Sequence, residues 1–351
     1  MEVTLIASRF KQGGSGIPRY SYNIYSGLKS RYKVKRWGVL ENNIINVPPA
    51  FQFVNKELIF ALNTKQLKGR NVHVLEHGLL PARYLKLPKK KIVTIHDFFN
   101  VFDTEFSVYP KEATLWKRAL FTPIWKLSVL WTRKIYQAVN KYDHVVLVSE
   151  LAKEDAINKF KVDKNKISVI YPIVEDKFKS LKVRSSFHEH PIIGYINSFG
   201  YNKREKLRVF IEKFKKIKDK QLSFHIYGRG FTFGNLIKDD SRIKYFGFLP
   251  ESELVNTTNN FDVYLSTSTA EGFGSPIMQA KACKVPVLCY DGKLPKIIKR
   301  NTILWNDENL SDLLIKRAWE KSNLNAAFND TKKCRKAYVI NQFIDLYKKV
   351  F

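Results

Sequence analysis

Short apolar runs that end in polar residues alternate with amphipathic stretches along this chain, and the alternation begins twice. The first series runs through "VTLIAS" (Val3 to Ser8), "NVHVLEH", "KIVTIHD", "YDHVVLVSE" and "KISVIYP". A helix-like "RYSYNIYSGLKSRY" follows the first strand. "ELAKEDAINKF", with Ser149 placed to cap it, follows "YDHVVLVSE". After Pro172 the polar, patternless "KSLKVRSSFHEHP" reads as a linker, and "IIGYINS" reads as a new first strand. Next, "REKLRVFIEKFKKIK" sets Leu207, Phe210, Ile211 and Phe214 on one helical face. "LSFHIYGRG", "IKYFGFL", "FDVYLSTS" and "VPVLCYD" follow as strands. Such alternation specifies a mostly parallel sheet with helices on its faces. The fold class is therefore α/β, with two doubly wound domains in tandem, residues 1–175 and 185–330, and a last helix near 332–351. The length of 351 residues agrees, since it exceeds what one core usually holds.

Composition narrows the class. Hydrophobic residues make up 44%, enough for full cores, and no apolar run approaches the ~18 residues of a membrane span. The opening "MEVTLIASRF" has no basic n-region or cleavage pattern and reads as a first strand. Cys283, Cys289 and Cys334 fit no zinc spacing, so reduced, cytoplasmic thiols are expected. His188 and His190 flank Glu189 in the linker, and an exposed polar connector is preferred there to a metal site. Lys plus Arg is 61 against 32 for Asp plus Glu, a net charge of +29. Such a chain attracts polyanions, whether nucleic acid, anionic lipid headgroups or phosphorylated ligands, although many lysines simply solvate helix faces.

In open α/β sheets, ligands bind beyond the carboxyl ends of the strands, so the residues after each strand carry the functional argument. Two such units facing each other across a cleft would put a site between them. In "RFKQGGSGIPRY", Gly13, Gly14 and Gly16 permit close backbone approach, and Pro18 suits a first helical turn. The helix start is a ready anion site, with a ligand-free tight turn as the competing reading. The loop is not G-x-G-x-x-G, so dinucleotide binding is unsupported. Glu76 and His77, then His96 and Asp97, end two further strands. His96 could donate to a hydroxyl or phosphate, or could simply cap its strand. Lys203, Arg204 and Lys206 crowd a helix start, where the macrodipole disfavours cations. An anion between them and the helix would explain the placement; a solvated basic helix start is the alternative.

The stretch "EGFGSPIMQAKACKVPVLC" follows the strand "FDVYLSTS". Glu271 lies just past the strand end, Gly272 and Gly274 make the turn, and Ser275 is placed to cap a helix starting at Pro276. Gln279 follows Glu271 with seven residues between them, one turn into that helix. Two hydrogen-bonding side chains thus flank one anion-binding helix end.

These residues resemble the signature E-G-F-G-x-P-x-x-E-A-x-A-x-G-x-P-V of family 4 glycosyltransferases, which have the GT-B fold, and mannosyltransferase-like members in particular. The likeness runs along most of the chain. "GSGIPRYSYNIYSGL" is similar to the family's first loop and helix, "VTIHDFF" to its V-T-I-H-D, and "VVLVSELAKEDA" and "ISVIYPIVEDKF" to its interdomain segments. "IYGRG" and "YFGFLPESELVNTTNNFDVYLSTS" resemble the approach to the signature. The resemblance implies two Rossmann-like domains, the first binding acceptor and the second a nucleoside diphosphate sugar, with the last helix returning to the first. It implies retaining sugar transfer with no required metal or other cofactor. It sets Glu271 at the donor sugar, Gln279 and Gly228 at the nucleoside and its ribose, and His96 at the donor sugar or an acceptor hydroxyl. Arg204, with Lys203 or Lys206, would meet the diphosphate beside Gly14, Gly16 and Gly274, and His77 and Asp97 would meet the acceptor. Gln279 stands where the family has Glu, but an amide still donates to and accepts from a hydroxyl. Pro18 replaces a family Gly, and Lys296 stands where an acid is common. Charge building on the departing diphosphate would be met by Arg204, a lysine, the Gly16 loop and the Pro276 helix end.

One segment stands apart. "EATLWKRALFTPIWKLSVLWTRKIYQAV" mixes Trp116, Trp125 and Trp131 with Lys117, Arg118, Lys126, Arg133 and Lys134. Core packing with snorkelling cations competes there with a face that meets an anionic membrane or a lipid-linked acceptor. The partners expected are thus a nucleoside diphosphate sugar, an acceptor glycan, lipid or protein, and an anionic membrane surface, in a cytoplasmic protein peripheral to the membrane. A basic nucleic-acid binder is the first rival, and no recognisable module supports it. The second is a transferase-like binding protein that has lost catalysis.

Overall fold

A computed structural model describes residues 2–13, 16–39, 41, 67–76, 87–98, 130, 136–181, 187–197 and 201–351. These divide into two compact units: Met1–Ile173 with Lys336–Phe351, and Val174–Arg335.

The first unit is built on six strands: β1 (Glu2–Ala7), β2 (Lys33–Gly38), β3 (Asn71–Val74), β4 (Lys90–Ile95), β5 (His144–Leu147) and β6 (Ile167–Val169). They pair in the order β2-β1-β3-β4-β5-β6, all parallel. β1, β3 and β5 are buried almost throughout, as strands covered on both faces must be. Helix α1 (Ile17–Leu28) starts from Gly16, whose φ of 73° demands glycine, with Pro18 in its first turn. Helix α2 (Glu150–Phe160) is capped by Ser149, whose Oγ accepts from Ala152 N at 3.3 Å.

The second unit repeats the plan with β7 (Ile192–Ile196), β8 (Ser223–Tyr227), β9 (Ile243–Tyr245), β10 (Val263–Ser266), β11 (Val287–Tyr290) and β12 (Ile303–Trp305). Their order is β12-β11-β10-β7-β8-β9, again parallel. The described helices are α3 (Tyr201–Lys215), α4 (Gly234–Ile237), α5 (Leu254–Asn259), α6 (Ser275–Ala282), α7 (Lys296–Lys299), α8 (Leu310–Ile315) and α9 (Leu324–Asp330). Leu207, Phe210, Ile211 and Phe214 of α3 are fully buried against β7, β8 and β12, which is what their helical spacing dictates. The segment after Ile173 is tied into this unit. Leu181 N donates to Asn259 Oδ1, and His188 donates to the fully buried Asp262 through both N and Nδ1. His188 is thereby the partner of a buried carboxylate, and "KSLKVRSSFHEHP" is not a free connector at either end.

The last helix, α10 (Lys336–Val350), packs in the first unit against α1. A Cβ on Gly27 would lie 2.4 Å from Ile340 Cδ1, so α1 presents glycine where the two helices meet. Below them runs a buried polar chain. Tyr347 Oη lies 2.6 Å from His73 Nδ1, His73 Nε2 lies 2.9 Å from Thr94 Oγ1, and Thr94 Oγ1 lies 3.5 Å from Tyr20 Oη. Burial pushes the His73 imidazole down to about 3, helped by His144, so it folds neutral. The unfolded chain binds this proton below its ordinary value of 6.5. Stability carried by neutral His73 is therefore complete above pH 6.5 and drains as pH falls toward 3. His73→Gln, which keeps two hydrogen-bonding ends, should flatten the fall in melting temperature between pH 7 and pH 4. Identical pH profiles for variant and wild type would contradict this reading.

Candidate active site

The second unit gathers polar side chains where its strands end. β10 finishes in Ser266, and Thr267 and Ser268 follow, all three buried. Buried hydroxyls need partners. Thr267 Oγ1 donates to Lys203 O at 2.9 Å, and Ser268 Oγ donates to Glu271 Oε1 at 2.6 Å. Lys203 Nζ reaches the same oxygen at 3.2 Å and Asn197 Oδ1 at 2.9 Å. Glu271 is thus held by the residues after β7, the start of α3 and the tip of β10. Its backbone is fixed as well: Glu271 N donates to Lys293 O at 3.2 Å, and Lys293 N to Thr269 O at 2.8 Å. The loops after β10 and β11 approach so closely that a Cβ on Gly292 would sit 2.2 Å from Thr269 O.

Helix α6 begins beside this carboxylate. Its cap is Gly274, in the left-handed region at φ 76°, and no side chain caps it. Ser275, expected as the cap, is instead the first helical residue, because Gly274 takes the left-handed turn that glycine adopts without strain. Gln279 is half-buried on this helix. Two residues on, Lys281 is fully buried. Its Nζ donates to Ile297 O and Ile298 O at 3.1 Å each and to Arg300 O, and pairs with Asp330 Oδ2 at 3.4 Å. Desolvation lowers its affinity for the proton and Asp330 restores part of it. One buried ammonium thereby fastens α6 to the end of α7 and to α9. A cation among apolar residues of a helix gave no sequence signal for that role.

The three cations at the start of α3 diverge. Lys203 goes to Glu271, as described. Arg204 lies over the Phe233 ring, 5.5 Å from its centroid. Lys206 Nζ reaches Asp307 at 2.8 and 3.0 Å and sits 4.8 Å from the Tyr290 ring centroid. Burial opposes the charge on Lys206, but Asp307 and Tyr290 hold its affinity for the proton above the ordinary value. Lys203 is therefore the lysine that the fold brings to the Glu271 cluster.

Past β8 and β9 stands an aromatic group that sequence reasoning missed. Gly228 has φ 144°, and its carbonyl accepts from Tyr245 Oη at 2.7 Å. Tyr245 stacks on Phe231 at 4.6 Å, Phe246 on Tyr227 at 4.9 Å, and the Arg229 guanidinium lies 4.0 Å from the Phe248 centroid. Tyr245, Phe246 and Phe248 are 40, 49 and 57% exposed, an uncommon cost for a strand end with nothing to bind. The repeated aromatics in "IKYFGFL" were the available signal.

In the first unit, His96 is half-buried, with Nε2 donating to Leu75 O at 3.0 Å, which makes Nδ1 the acceptor nitrogen. Its ring meets Tyr20 edge-on at 4.7 Å. Asp97 O accepts from Tyr136 Oη at 2.9 Å. Glu76 is buried and accepts from Ser8 N at 3.0 Å and from Ser8 Oγ. Gly14, His77 and the Trp-rich cations from Lys117 to Lys134 lie outside the described residues. No helix among the described residues is long and apolar enough to cross a membrane.

A carboxylate, a lysine, a helix start and exposed aromatics past the ends of one parallel sheet suit a ligand with hydroxyls, negative charge and a flat ring. Comparison with known proteins gives the family. The Glycosyltransferase Family 4 model matches residues 16–178, and the Glycosyl transferases group 1 model matches residues 190–318. A poly(ribitol-phosphate) alpha-N-acetylglucosaminyltransferase of Staphylococcus aureus is 26% identical over 187 residues, 51% of this chain and 37% of that protein. The GPI3 subunit of a Saccharomyces cerevisiae phosphatidylinositol N-acetylglucosaminyltransferase is 24% identical over 204 residues, 54% of this chain and 45% of that protein. The chain thus spans less than half the length of these curated relatives. An Anabaena protein solved in complex with UDP and glucose superimposes with a TM-score of 0.66 over the full length of both chains, at 13% identity. With the two family models taking in most of the chain, in the order of its two units, the chain belongs to the family 4 glycosyltransferases of the GT-B fold.

Proposed function

We propose that this chain is a retaining glycosyltransferase that takes an N-acetylglucosamine-type sugar from a UDP donor and gives it to a polyol that carries a phosphodiester. The observation that carries the reading is the Lys203–Glu271–Ser268 cluster beside the start of α6. The relatives named above support the donor sugar, in place of the mannosyl type, and the Anabaena neighbour supports UDP. Poly(ribitol-phosphate) and phosphatidylinositol both present hydroxyls beside a phosphodiester, which supports the acceptor class and suits a chain of charge +29.

In this reading the bond from the sugar C1 to the diphosphate oxygen breaks, and its electron pair leaves with UDP. The acceptor hydroxyl oxygen bonds to C1 on the same face, and its proton passes to the released phosphate. Lys203 turns from Glu271 to the diphosphate, with the α6 start beside it, and together they stabilise the growing charge. No metal is assigned a part. Two donors already converge on Glu271 Oε1, so Oε2 is assigned to the donor sugar's hydroxyls as a positioner. Gln279 takes the ribose hydroxyls, and the Phe248–Arg229 pair takes the base. His96 is assigned to an acceptor hydroxyl.

Glu271→Ala should cut transfer at least ~100-fold with the fold intact, since a positioned polar group of this kind is commonly worth that much. Turnover like wild type would remove Glu271 from the site. Lys203→Ala should weaken UDP binding far more than uridine binding, measured by calorimetry. Equal weakening of both would rule out a phosphate contact. Gln279→Glu should keep activity and tighten UDP, because a carboxylate accepts from both ribose hydroxyls; abolished donor binding would place Gln279 elsewhere. Release of the sugar from UDP-N-acetylglucosamine by wild type without acceptor separates the enzyme from an inert binding protein, which would bind the donor and leave it whole.

A further inference from the structure

A diphosphate occupies two or three cations, so most of the excess of Lys and Arg is unused by the site above. The sheet of the first unit orders part of it. Its strands are all parallel, so they begin along one edge, opposite the carboxyl ends. In the register, Glu2 faces Lys33, Asn71 faces Lys90, Ile92 faces His144 and Val145 faces Ile167. A basic residue stands at or just before the start of five of the six strands: Lys33 at β2, Arg70 at β3, Lys89 at β4, Lys141 at β5 and Lys164 at β6. All five are exposed. Two adjacent members touch through the backbone, Lys89 N donating to Arg70 O at 2.8 Å.

The acids described at these strand starts are already committed. Glu2, which opens β1, lies 3.5 Å from Lys33 and 2.9 Å from Lys35. Asp143 lies between Lys90 at 3.2 Å and Lys91 at 3.5 Å, and Asp163 accepts from Asn165 N at 2.9 Å. The end of α10 adds to the same edge, because Lys349 comes close enough to His144 to disfavour a charge there.

We propose that this row docks a linear phosphodiester polymer, holding a long acceptor whose free units are presented to the site; the proposal rests on the phosphate-bearing acceptor class given above. With strands about 4.8 Å apart the row spans about 24 Å. Each strand is rotated by about 20–25° from its neighbour, so the row curves, and a flexible chain follows a curve that a flat bilayer meets only in part. The large apolar side chains exposed among the described residues lie outside the strand starts, so the described part of this edge offers nothing to insert into lipid or to stack on bases. Holding the polymer remotely raises the local concentration of its acceptor units.

The test compares wild type with a variant carrying Lys33→Gln, Arg70→Gln, Lys89→Gln, Lys141→Gln and Lys164→Gln. Binding is measured to long-chain inorganic polyphosphate, to phosphatidylglycerol-containing vesicles and to an oligothymidylate. Wild type should bind polyphosphate more tightly than the other two. The variant should lose at least ~10-fold in affinity, and its plot of log affinity against log salt should be shallower by about 3 to 4, at about 0.7 per phosphate contact. UDP affinity should not change. Lys141→Gln with Lys164→Gln, if the full variant melts early, should lower the slope by about 1.4 on the same count. Polyphosphate binding that is absent, or that survives both variants, overturns the proposal. So does preferential, row-dependent binding to vesicles or to the oligonucleotide. A failed transferase reading would show in the Glu271 and UDP measurements and leave polyphosphate binding standing. A failed docking surface would leave those measurements standing.

Discussion

The polar tip of β10 is the constraint on which the second unit's site depends. Ser266, Thr267 and Ser268 are buried at the end of a central strand, and burial without partners would cost about 1–3 kcal/mol per group. Each is tied to a different neighbour: Ser266 O accepts from Trp305 Nε1 at 3.2 Å, Thr267 holds the backbone of Lys203, and Ser268 holds Glu271. Satisfying the strand end therefore sets β12, α3 and the Glu271 turn against one another. A ligand that meets Glu271 meets a carboxylate whose position the core has already decided, and the Lys203 ammonium turns to that ligand from a backbone that Thr267 holds. Preorganisation of this kind costs nothing at the moment of reaction.

The same logic holds α6 in place. Its N-terminal end depends on a glycine cap, and its other end on the buried Lys281 ammonium, which replaces lost water with three carbonyls and Asp330. In the first unit the polar chain from Tyr347 through His73 and Thr94 to Tyr20 binds α10 and α1 to the sheet, and Tyr20 in turn packs against His96. Each unit thus spends buried polar groups on the elements that carry its candidate site residues.

Much of this was legible in the sequence, and the failures have physical reasons. Central strands such as "YDHVVLVSE" and "FDVYLSTS" are apolar on both faces, so they announce themselves. β2, "KVKRWG", was missed because it is a charged edge strand, and β12, "ILW", because its apolar run is only three residues, whereas the equally short β6 and β9 sit in longer apolar runs. Glu271 was visible because a carboxylate in a glycine turn after a strand is unusual. Which lysine accompanies it was not visible, since Lys203 and Lys206 differ only in helical phase, and Asp307, a hundred residues on, claims the second. Gly292 and Ser268 gave no local signal, because their importance lies in contacts between loops. The row of cations at the strand starts needed the sheet order, since neighbours in the row lie far apart in sequence.

In the proposed reaction the Glu271 cluster of the second unit receives the diphosphate of a UDP sugar. A crystal structure of the protein with UDP would show that contact. Lys203 Nζ should then be withdrawn from Glu271 and within hydrogen-bonding distance of a phosphate oxygen, with the ribose against Gln279 and the base beside Phe248. UDP seated away from α6, with Lys203 still on Glu271, would contradict it.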